Sequence, residues 1–473
     1  MKPFTDKQLR LIGAPYVFEN LKLHSPFGKA LARAISPFAR HETDLLEREL
    51  DNVERAKLYT DQTLARVLSK FRDMRGSLRK LDGAAGRALG EVELFELKNF
   101  LLNLSELAEA FLMYNNAAAI KGHDIKGINI RPMENALTIL DPEGTRLRSF
   151  YVSERYSKKL GEIRDKKRRL DVGLNAVFCK ELEKERLAAA AAEEDEELAV
   201  RTELTARLSA FEDLFWQNVD AVGRLDMVLA KGELARRYGC VRPVITENSL
   251  VLTDVYSPEV AAVLEGRGER VTPVSLGLAP GAAVLTGANM GGKSVALKTL
   301  VQCAYLCQCG FLAFANAAAL PVFDHMDFVF EDESDVRSGL SSFGAEMMHV
   351  NAILEHAKGF SLIVLDEPAR GTNPPEGCAI AAGLAACLNA MPSISILSTH
   401  YDNVAKSEYN CYQTAGLRKD ADIPRLSADK IPSLMDYRLV KTTSNKRAPN
   451  DALTICKLLG VDPGLLRAIE AEL

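Results

Sequence analysis

The stretch TGANMGGKSVALKTL, residues 286–300, constrains the fold more than any other part of the chain. It fits the phosphate-binding pattern G-x-x-x-x-G-K-[ST], with the apolar run AAVL before it and a helix-forming run after it. In such a loop the glycines let backbone N–H groups point at phosphates, Lys293 pairs with the β- and γ-phosphates, and the Ser294 hydroxyl binds Mg²⁺. The stretch therefore predicts a strand, a loop and a helix that bind a nucleotide. The residues predicted to contact it here are Gly287, Ala288, Asn289, Met290, Gly291, Gly292, Lys293, Ser294 and Val295.

Two later segments place acidic and imidazole side chains directly after predicted strands. The apolar run LIVL, 362–365, ends in Asp366 and Glu367, and the run ISIL, 394–397, is followed by Ser398-Thr399-His400. Phosphoryl transfer requires mainly positioning and charge stabilisation, so one carboxylate can hold the metal while the other polarises the attacking water. We predict Asp366 as a Mg²⁺ ligand together with Ser294. The predicted catalytic residues are Glu367, His400 and Lys293.

The pattern of the chain changes near residue 240. Before it, apolar residues recur at three- and four-residue spacing over 94–111 and 204–229, which predicts long amphipathic helices. After it, short β-branched and apolar runs alternate with helices, which is typical of an α/β domain. The expected fold is therefore an α/β nucleotide-binding domain with a mostly parallel sheet, preceded by a long all-α domain.

Several weaker signals have a structural interpretation. Residues 128–150 alternate polar and apolar side chains around Asp-Pro-Glu-Gly, which is compatible with a small β-hairpin. Residues 303, 307 and 309 are cysteines on the helix after the loop, and we interpret them as buried thiols because no further ligands lie at suitable spacing. The basic run 166–169 is typical of a solvated helix face. Trp216 lies on the second apolar stripe and is expected to pack in the helical domain.

Charge and composition exclude several classes of protein. The net charge is −5, unlike that of a globally basic nucleic-acid-binding protein, although a local basic patch stays compatible with it. The start MKPFTDKQLRL is not a secretory signal, and no apolar run approaches the roughly 18 residues that span a bilayer. Nine scattered cysteines indicate reduced thiols. We expect a cytoplasmic protein without a membrane partner.

Four segments, in this order and spacing, resemble the ATPase motifs of the MutS family, which belongs to the ABC-type ATPases. They are TGANMGGKSVALKTL at 286–300, SGLSSFGAEM at 338–347, DEPARGTNPPEG at 366–377 and STHYDN at 398–403. The resemblance implies ATP and Mg²⁺ as cofactors and an ABC-type P-loop ATPase fold. It extends more weakly to residues 19–38, 223–245 and 451–473. The domains expected from it are a helical core/lever domain at 1–240, an ATPase domain at 241–435 and a C-terminal dimerisation segment at 436–473.

The resemblance also implies a dimer with two composite ATP sites, built from two copies of the chain or from the chain and a related subunit. The residues implied to form a signature-type loop that reaches the partner's nucleotide are Ser338, Gly339 and Ser341. Arg370 and the two residues after it would form a second loop at the dimer interface. Asn289 would contact phosphate or the partner loop, and His400 would be the switch histidine.

The sequence departs from the family in the parts that handle DNA. We expect no mismatch-reading or connector domain before Glu19, and we expect the clamp that grips DNA to be shortened or missing. The acidic segment 193–197 stands in its place and would repel a phosphate backbone. Ala288, Val295 and the sequence Tyr-Ser-Pro at 256–258 replace residues that are common in the family, and none of these changes removes an ATPase role.

Three functions follow from these observations. The first is a MutS-like ATPase that couples nucleotide state to lever arms acting on mismatched or otherwise structured DNA. The second is a protein-remodelling ATPase without DNA binding, since the FGAEM and PNDAL segments resemble MutS-like companions of cobalamin-dependent aminomutases. The third is a structural dimer with an inactive site. It is disfavoured because Lys293, Ser294, Asp366, Glu367 and His400 are all present.

Overall fold

The computed structural model describes residues 4–81, 88–176, 179–287, 291–330, 342–357, 359–417, 435–442 and 451–472. The chain divides into two compact units, of which the first comprises Met1–Leu21, Ile35–Leu58 and Lys231–Leu473. The second comprises Lys22–Ala34 and Tyr59–Ala230. The domain boundaries expected near residues 240 and 435 stay predictions.

Helices and strands occur in a fixed order along the chain. The helices are α1 (Asp6–Leu11), α2 (Ala14–Glu19), α3 (Pro26–Arg33), α4 (Thr43–Leu58), α5 (Gln62–Leu68), α6 (Arg75–Arg79), α7 (Glu91–Ala119), α8 (Glu134–Leu140), α9 (Lys158–Ala176), α10 (Lys180–Ser209), α11 (Glu212–Tyr238), α12 (Pro258–Glu265), α13 (Lys293–Gln308), α14 (Ser342–His356), α15 (Pro374–Asn389), α16 (Asp451–Leu458) and α17 (Pro463–Glu472). The strands are β1 (Val244–Thr246), β2 (Leu250–Val255), β3 (Val274–Leu278), β4 (Gly281–Thr286), β5 (Ala317–Pro321), β6 (His325–Val329), β7 (Ser361–Leu365), β8 (Ile394–Thr399), β9 (Asn410–Leu417) and β10 (Met435–Thr442).

The second unit is helical, as the apolar stripes predict. The first stripe lies on α7, most of whose leucines and phenylalanines are buried. The second stripe is shared between two helices, because a turn at residues 210–211 ends α10 and begins α11. The rings of Phe27, Phe71 and Phe100 pack with centroids 5.6–6.0 Å apart, and that of Phe215 on α11 lies 5.9 Å from Phe100. Aromatic burial of this kind supplies much of the stability of a helical core.

The β-hairpin expected over residues 128–150 is wrong. Residues 134–140 of the segment form α8, and residues 136, 137, 139 and 140 on it are buried. Burial at the adjacent positions 136 and 137, and again at 139 and 140, fits a helix and does not fit a half-buried strand, which would bury alternate positions. Packing against α7 favours the helix. The Asp-Pro-Glu-Gly segment then follows the C-terminus of α8 as a turn.

The first unit contains a six-stranded sheet in the order β10-β9-β4-β8-β7-β6. Four of its pairings are parallel, and only β9 with β10 is antiparallel. The predicted runs at 282–285, 362–365 and 394–397 are β4, β7 and β8, and every residue of these strands is buried. The predicted mostly parallel sheet is therefore found here. Because parallel strands end at one edge, their carboxyl ends bring the predicted site segments together.

A smaller sheet in the same unit has the order β1-β5-β2-β3. Two of its three pairings are antiparallel, so the prediction of parallel pairing does not extend to it. Cys303 and Cys307 on α13 and Cys309 directly after it are buried, as predicted, and burial raises the pKa of the Cys309 thiol to about 12. None of the helices described by the structure is long and apolar enough to cross a membrane.

Candidate nucleotide-binding site

The phosphate loop follows the buried strand β4 and leads into α13. Gly287 and Gly292 flank it, with φ angles of 145° and 79° that side-chain-bearing residues rarely adopt. A Cβ on Gly287 would lie 2.0 Å from Thr414 Oγ1, and one on Gly292 would lie 2.8 Å from Cδ1 of Tyr437. Glycine is therefore required at both positions by conformation and by space. The residues between them that were predicted to bind phosphate, Ala288, Asn289 and Met290, lie outside the described residues.

Lys293 is the first residue of α13, and only 4% of it is exposed. Its ammonium donates a hydrogen bond of 2.8 Å to the carbonyl of Gly287 and forms an ion pair of 2.9 Å with Glu367 Oε1. The loop, the helix and the end of β7 therefore meet at one buried cation. An ammonium held by a carbonyl and a carboxylate can exchange either partner for a phosphate oxygen.

Glu367 is surrounded by three basic side chains. Besides Lys293, the Nε of Arg370 lies 3.7 Å and the Nδ1 of His400 lies 3.9 Å from its Oε2. These distances are beyond hydrogen-bond range, and among the described residues the buried Oε2 has no hydrogen-bond partner. A buried carboxylate oxygen without a partner is costly, and such atoms in a native fold call for a ligand, a water molecule or a catalytic role.

The hydroxyl of Ser398 connects the two adjacent carboxylate residues. It donates a hydrogen bond of 2.6 Å to Asp366 Oδ1 and accepts one of 2.9 Å from the backbone N–H of Glu367. Asp366, Ser398 and the strands that carry them are buried. Hydrogen bonds of this kind fix the orientation of a carboxylate that binds metal and increase its affinity for the metal.

The loop after β7 has an unusual backbone. Glu367 has a φ of 48° and Ala369 a φ of 65°, although neither is glycine. Glu367 also precedes a proline, which further disfavours helical backbone angles. Conformations of this kind cost about 1–3 kcal/mol each and persist only where neighbouring groups enforce them. Strained residues concentrate at functional sites, and here they carry the predicted catalytic carboxylate.

The remaining predicted residues are distributed as follows. Gly291 is buried and Ser294 is half-buried at the second position of α13, whereas the side chain of Val295 is largely exposed. The ring of His400 packs against that of Tyr401 with centroids 4.1 Å apart and planes tilted by 45°. The side chains of His400 and Arg370 are partly exposed. The predicted partner-contacting residues Ser338, Gly339 and Ser341 lie outside the described residues.

The described residues fit ATP and Mg²⁺. The cradle at Gly287 and Gly292 would be filled by any Cβ, Lys293 is available for phosphate, and Glu367 Oε2 is an orphaned acceptor. Ser294 and Asp366 supply the hydroxyl and carboxylate oxygens that Mg²⁺ prefers. The described part of the chain holds no group of three or more His, Cys, Asp or Glu side chains that could bind a metal.

Sequence reasoning missed three residues at this site. Ser398 was part of a quoted motif but received no role, although a hydroxyl two residues before the histidine was a usable signal. Glu346 lies in the SGLSSFGAEM segment, and its Oε1 accepts a hydrogen bond of 3.0 Å from the N–H of Ala369. Tyr437 packs over Gly292, and burial raises its pKa. No local pattern pointed to Tyr437, because it lies 145 residues from that glycine.

Comparison with known proteins gives consistent matches to one family. The family model for MutS domain V matches residues 283–447, which include the site described above. The endonuclease MutS2 of Leuconostoc mesenteroides is 29% identical over 281 residues, covering 59% of this chain and 33% of that protein. The protein of the same name from Thermomicrobium roseum is 34% identical over 207 residues, covering 42% and 26%. That from Levilactobacillus brevis is 29% identical over 232 residues, covering 49% and 29%.

The matched part spans about a third or less of the length of these relatives. Within it lie the phosphate loop, the acidic pair and the histidine, in the order that the four motifs of the family require. MutS domain V is a P-loop ATPase domain, and the sheet and loop of the first unit have the corresponding architecture. Residues 283–447 of the chain are therefore similar to MutS domain V.

Proposed function

We propose that this protein binds ATP with Mg²⁺ and hydrolyses it slowly. The observation that carries the proposal is the convergence of Lys293 and His400, from two other segments of the chain, on the buried carboxylate of Glu367. Lys293 pairs with its Oε1, whereas its Oε2 has no hydrogen-bond partner among the described residues. A structural role alone would favour full pairing of that oxygen, because an unsatisfied buried acceptor destabilises the fold.

Each residue has a distinct role in the proposed reaction. Lys293 exchanges the Gly287 carbonyl or the Glu367 carboxylate for phosphate oxygens, and Glu367 is then released to orient the attacking water through Oε2. Bound Mg²⁺ supplies charge neutralisation on the phosphates, and Ser294 and Asp366 would hold it. The Nδ1 of His400 lies 3.9 Å from Glu367 Oε2, so His400 would contact the γ-phosphate, which is cleaved from ATP. Ser398 keeps Asp366 and Glu367 in their relative orientation.

We further propose that the working unit is a dimer in which each ATP site uses both chains. Arg370 and His400 support this, because both are partly exposed beside Glu367 and could therefore be covered by a second subunit. The family resemblance adds a signature-type loop from the partner. ATP-dependent closure of this dimer would move the helical unit, which we propose to be the lever.

The first proposed cargo is DNA, with a role in processing mismatched or otherwise structured duplexes. The relatives named endonuclease MutS2 support a connection with DNA, although the chain spans only part of their length. Affinity for DNA rests mainly on lysine and arginine residues that neutralise phosphates. Such residues occur on α9, which carries seven basic and three acidic residues.

A second candidate function, protein remodelling without DNA binding, is favoured by the partners of those basic residues. Arg164 binds Glu193 and Glu197 at 2.9 and 2.6 Å, and Lys167 binds Glu193 at 2.5 Å. Lys159 binds Glu196 at 2.7 Å. The acidic partners all lie on α10, which carries nine acidic and five basic residues, so the two helices have opposite net charges of equal size.

One experiment tests the ATPase and separates the two cargoes. ATP hydrolysis is measured first, with Lys293→Ala as the inactive reference. Fluorescence anisotropy of labelled duplex, mismatched, branched and single-stranded DNA is then recorded with and without ATP across a salt series. Nucleotide-dependent binding with a steep salt slope supports the DNA function. An active ATPase that binds none of these DNAs at low salt supports a protein cargo, which the ATP-trapped Glu367→Ala variant should retain in a pull-down.

A further inference from the structure

The loop that carries Glu367 is held by side chains from outside it. Between Asp366 and Arg370 the backbone offers two N–H groups, those of Glu367 and Ala369, because residue 368 is a proline. The first donates to Ser398 Oγ at 2.9 Å, and the second donates to Glu346 Oε1 at 3.0 Å. The two left-handed residues of the loop are therefore the two that these side chains hold.

The two attachments come from different elements. Ser398 lies on β8, which pairs directly with β7, so its position is set by the sheet. Glu346 lies on α14, and its carboxylate is half-buried with a pKa raised by burial. Ala369 is fully buried, so no solvent can replace the acceptor that Glu346 provides. The half-buried carboxylate of Glu346 therefore satisfies one backbone N–H of the loop, and this hydrogen bond helps to hold the loop in its observed conformation.

We infer that Glu346 is a positioning residue of the ATPase, which keeps Ala369 in its left-handed conformation and thereby aims the Glu367 carboxylate at the attacking water. The inference rests on the proposed hydrolysis of ATP at this site. Without the Glu346 acceptor, the loop relaxes towards ordinary backbone angles, and Glu367 turns away from Lys293 and His400. The nucleotide contacts of the phosphate loop do not depend on this attachment.

Four variants separate the hydrogen bond from charge and from general packing. Glu346→Gln retains an acceptor oxygen at the same reach, whereas Glu346→Asp retains the charge but shortens the side chain by one methylene. Glu346→Ala removes both. Glu355→Ala, on the same helix, is the control because Glu355 Oε1 accepts a hydrogen bond from Asn351 on its own helix.

The first measurement is steady-state hydrolysis together with ATP affinity. We expect kcat to fall about tenfold to a hundredfold in the Ala and Asp variants, because misplacing a catalytic group by about 1 Å has an effect of this size. ATP affinity should change less than twofold, and the Gln and Glu355→Ala variants should stay near the wild-type rate. In a Glu367→Gln background, Glu346→Ala should cause no further loss, since residues that act through one another are not additive.

Hydrogen–deuterium exchange of the peptide covering residues 366–377 tests the inference even if the protein proves not to hydrolyse ATP. The Ala and Asp variants should exchange faster in this peptide than wild type, and the Gln variant should not. Unchanged exchange, or a Gln variant as impaired as the Asp variant, overturns the role of Glu346. If the Ala and Asp variants exchange faster than wild type but the wild-type protein does not hydrolyse ATP, the proposed function is overturned instead.

Discussion

The nucleotide site and the α9–α10 helix pair both bring opposite charges together, and they do so in opposite ways. At the site, Lys293 and Glu367 are buried, and one carboxylate oxygen has no hydrogen-bond partner among the described residues. On the helix pair, the ion pairs lie nearer the surface, and Glu193 receives hydrogen bonds on both oxygens. Pairing with Lys167 and Arg164 lowers the pKa of Glu193, so both basic residues favour its charged form.

The comparison separates charges that hold structure from charges that are available for chemistry. Exposed ion pairs each contribute little to stability, about 0–1 kcal/mol, but a series of them fixes how two helices align. A buried carboxylate oxygen without a hydrogen-bond partner does not help to align secondary-structure elements. It can instead accept a hydrogen bond from a water molecule or another ligand. The strongest tests therefore remove charge at the site, and the weakest remove it on the helices.

Lys293→Ala should have the largest effect, because it deletes the cation that three segments share. We expect ATP affinity to fall by at least about a hundredfold, since a charge-assisted hydrogen bond contributes about 1.5–3 kcal/mol and the carboxylate of Glu367 is left buried without its counterion. Titration with a fluorescent ATP analogue measures this loss of affinity. Lys298→Ala is the matched control on the same helix, where the ammonium lies over the ring of Phe330. Equal affinities in the two variants would contradict the site.

Glu367→Ala should leave ATP binding intact and slow hydrolysis by about a hundredfold to ten-thousandfold, which is the usual contribution of a positioned base. The variant should accumulate as an ATP-bound dimer. Single-turnover hydrolysis gives the rate, and analytical ultracentrifugation with ATP gives the oligomeric state. Equal rates for wild type and variant would show that this carboxylate has another role, and a monomer with bound ATP would argue against the composite site.

The sequence predicted the elements of the site better than its contacts. The phosphate loop and the strands β4, β7 and β8 follow from short local patterns, because buried parallel strands and glycine-rich turns each have a local signature. The pairing of Lys293 with Glu367 joins residues far apart in the chain and depends on sheet order, which no local pattern contains. The hairpin prediction for residues 128–150 was wrong for the same reason, because packing on the distant helix α7 favours a helix there.

The helix pair illustrates a second limit. The basic run 166–169 and the acidic segment 193–197 were each visible in the sequence, and they were interpreted separately as a solvated face and as a repulsive segment. The antiparallel alignment of α9 and α10 brings them together, so that Glu193 pairs with Lys167 and Arg164. Charge patterns predict such pairs only where the spacing lies within one helix.

Ser398→Ala should have an intermediate effect, because it removes a hydroxyl that orients groups without contacting the substrate. We expect kcat to fall about tenfold to a hundredfold and the Mg²⁺ concentration for half-maximal activity to rise, as for other residues that orient metal-binding carboxylates. Ser395→Ala is the control on the same strand, since its buried hydroxyl has no hydrogen-bond partner among the described residues. A rise in Mg²⁺ requirement in both variants would point to general destabilisation of β8.

Neutralising the acidic partners on α10 should have the smallest effect and decides between the two cargoes. The triple variant Glu193→Gln, Glu196→Gln and Glu197→Gln releases Lys159, Arg164 and Lys167, whereas Glu181→Gln, Glu183→Gln and Glu185→Gln makes the same charge change nearer the start of the helix. If the ion pairs are what keeps α9 from DNA, only the first variant gains affinity in anisotropy titrations, and its salt slope steepens by about 0.9 for each phosphate contacted. Equal gains in both variants would reflect net charge alone. No gain in either, in a protein that hydrolyses ATP, would mean that α9 and α10 do not bind DNA and that the cargo of the lever is a protein.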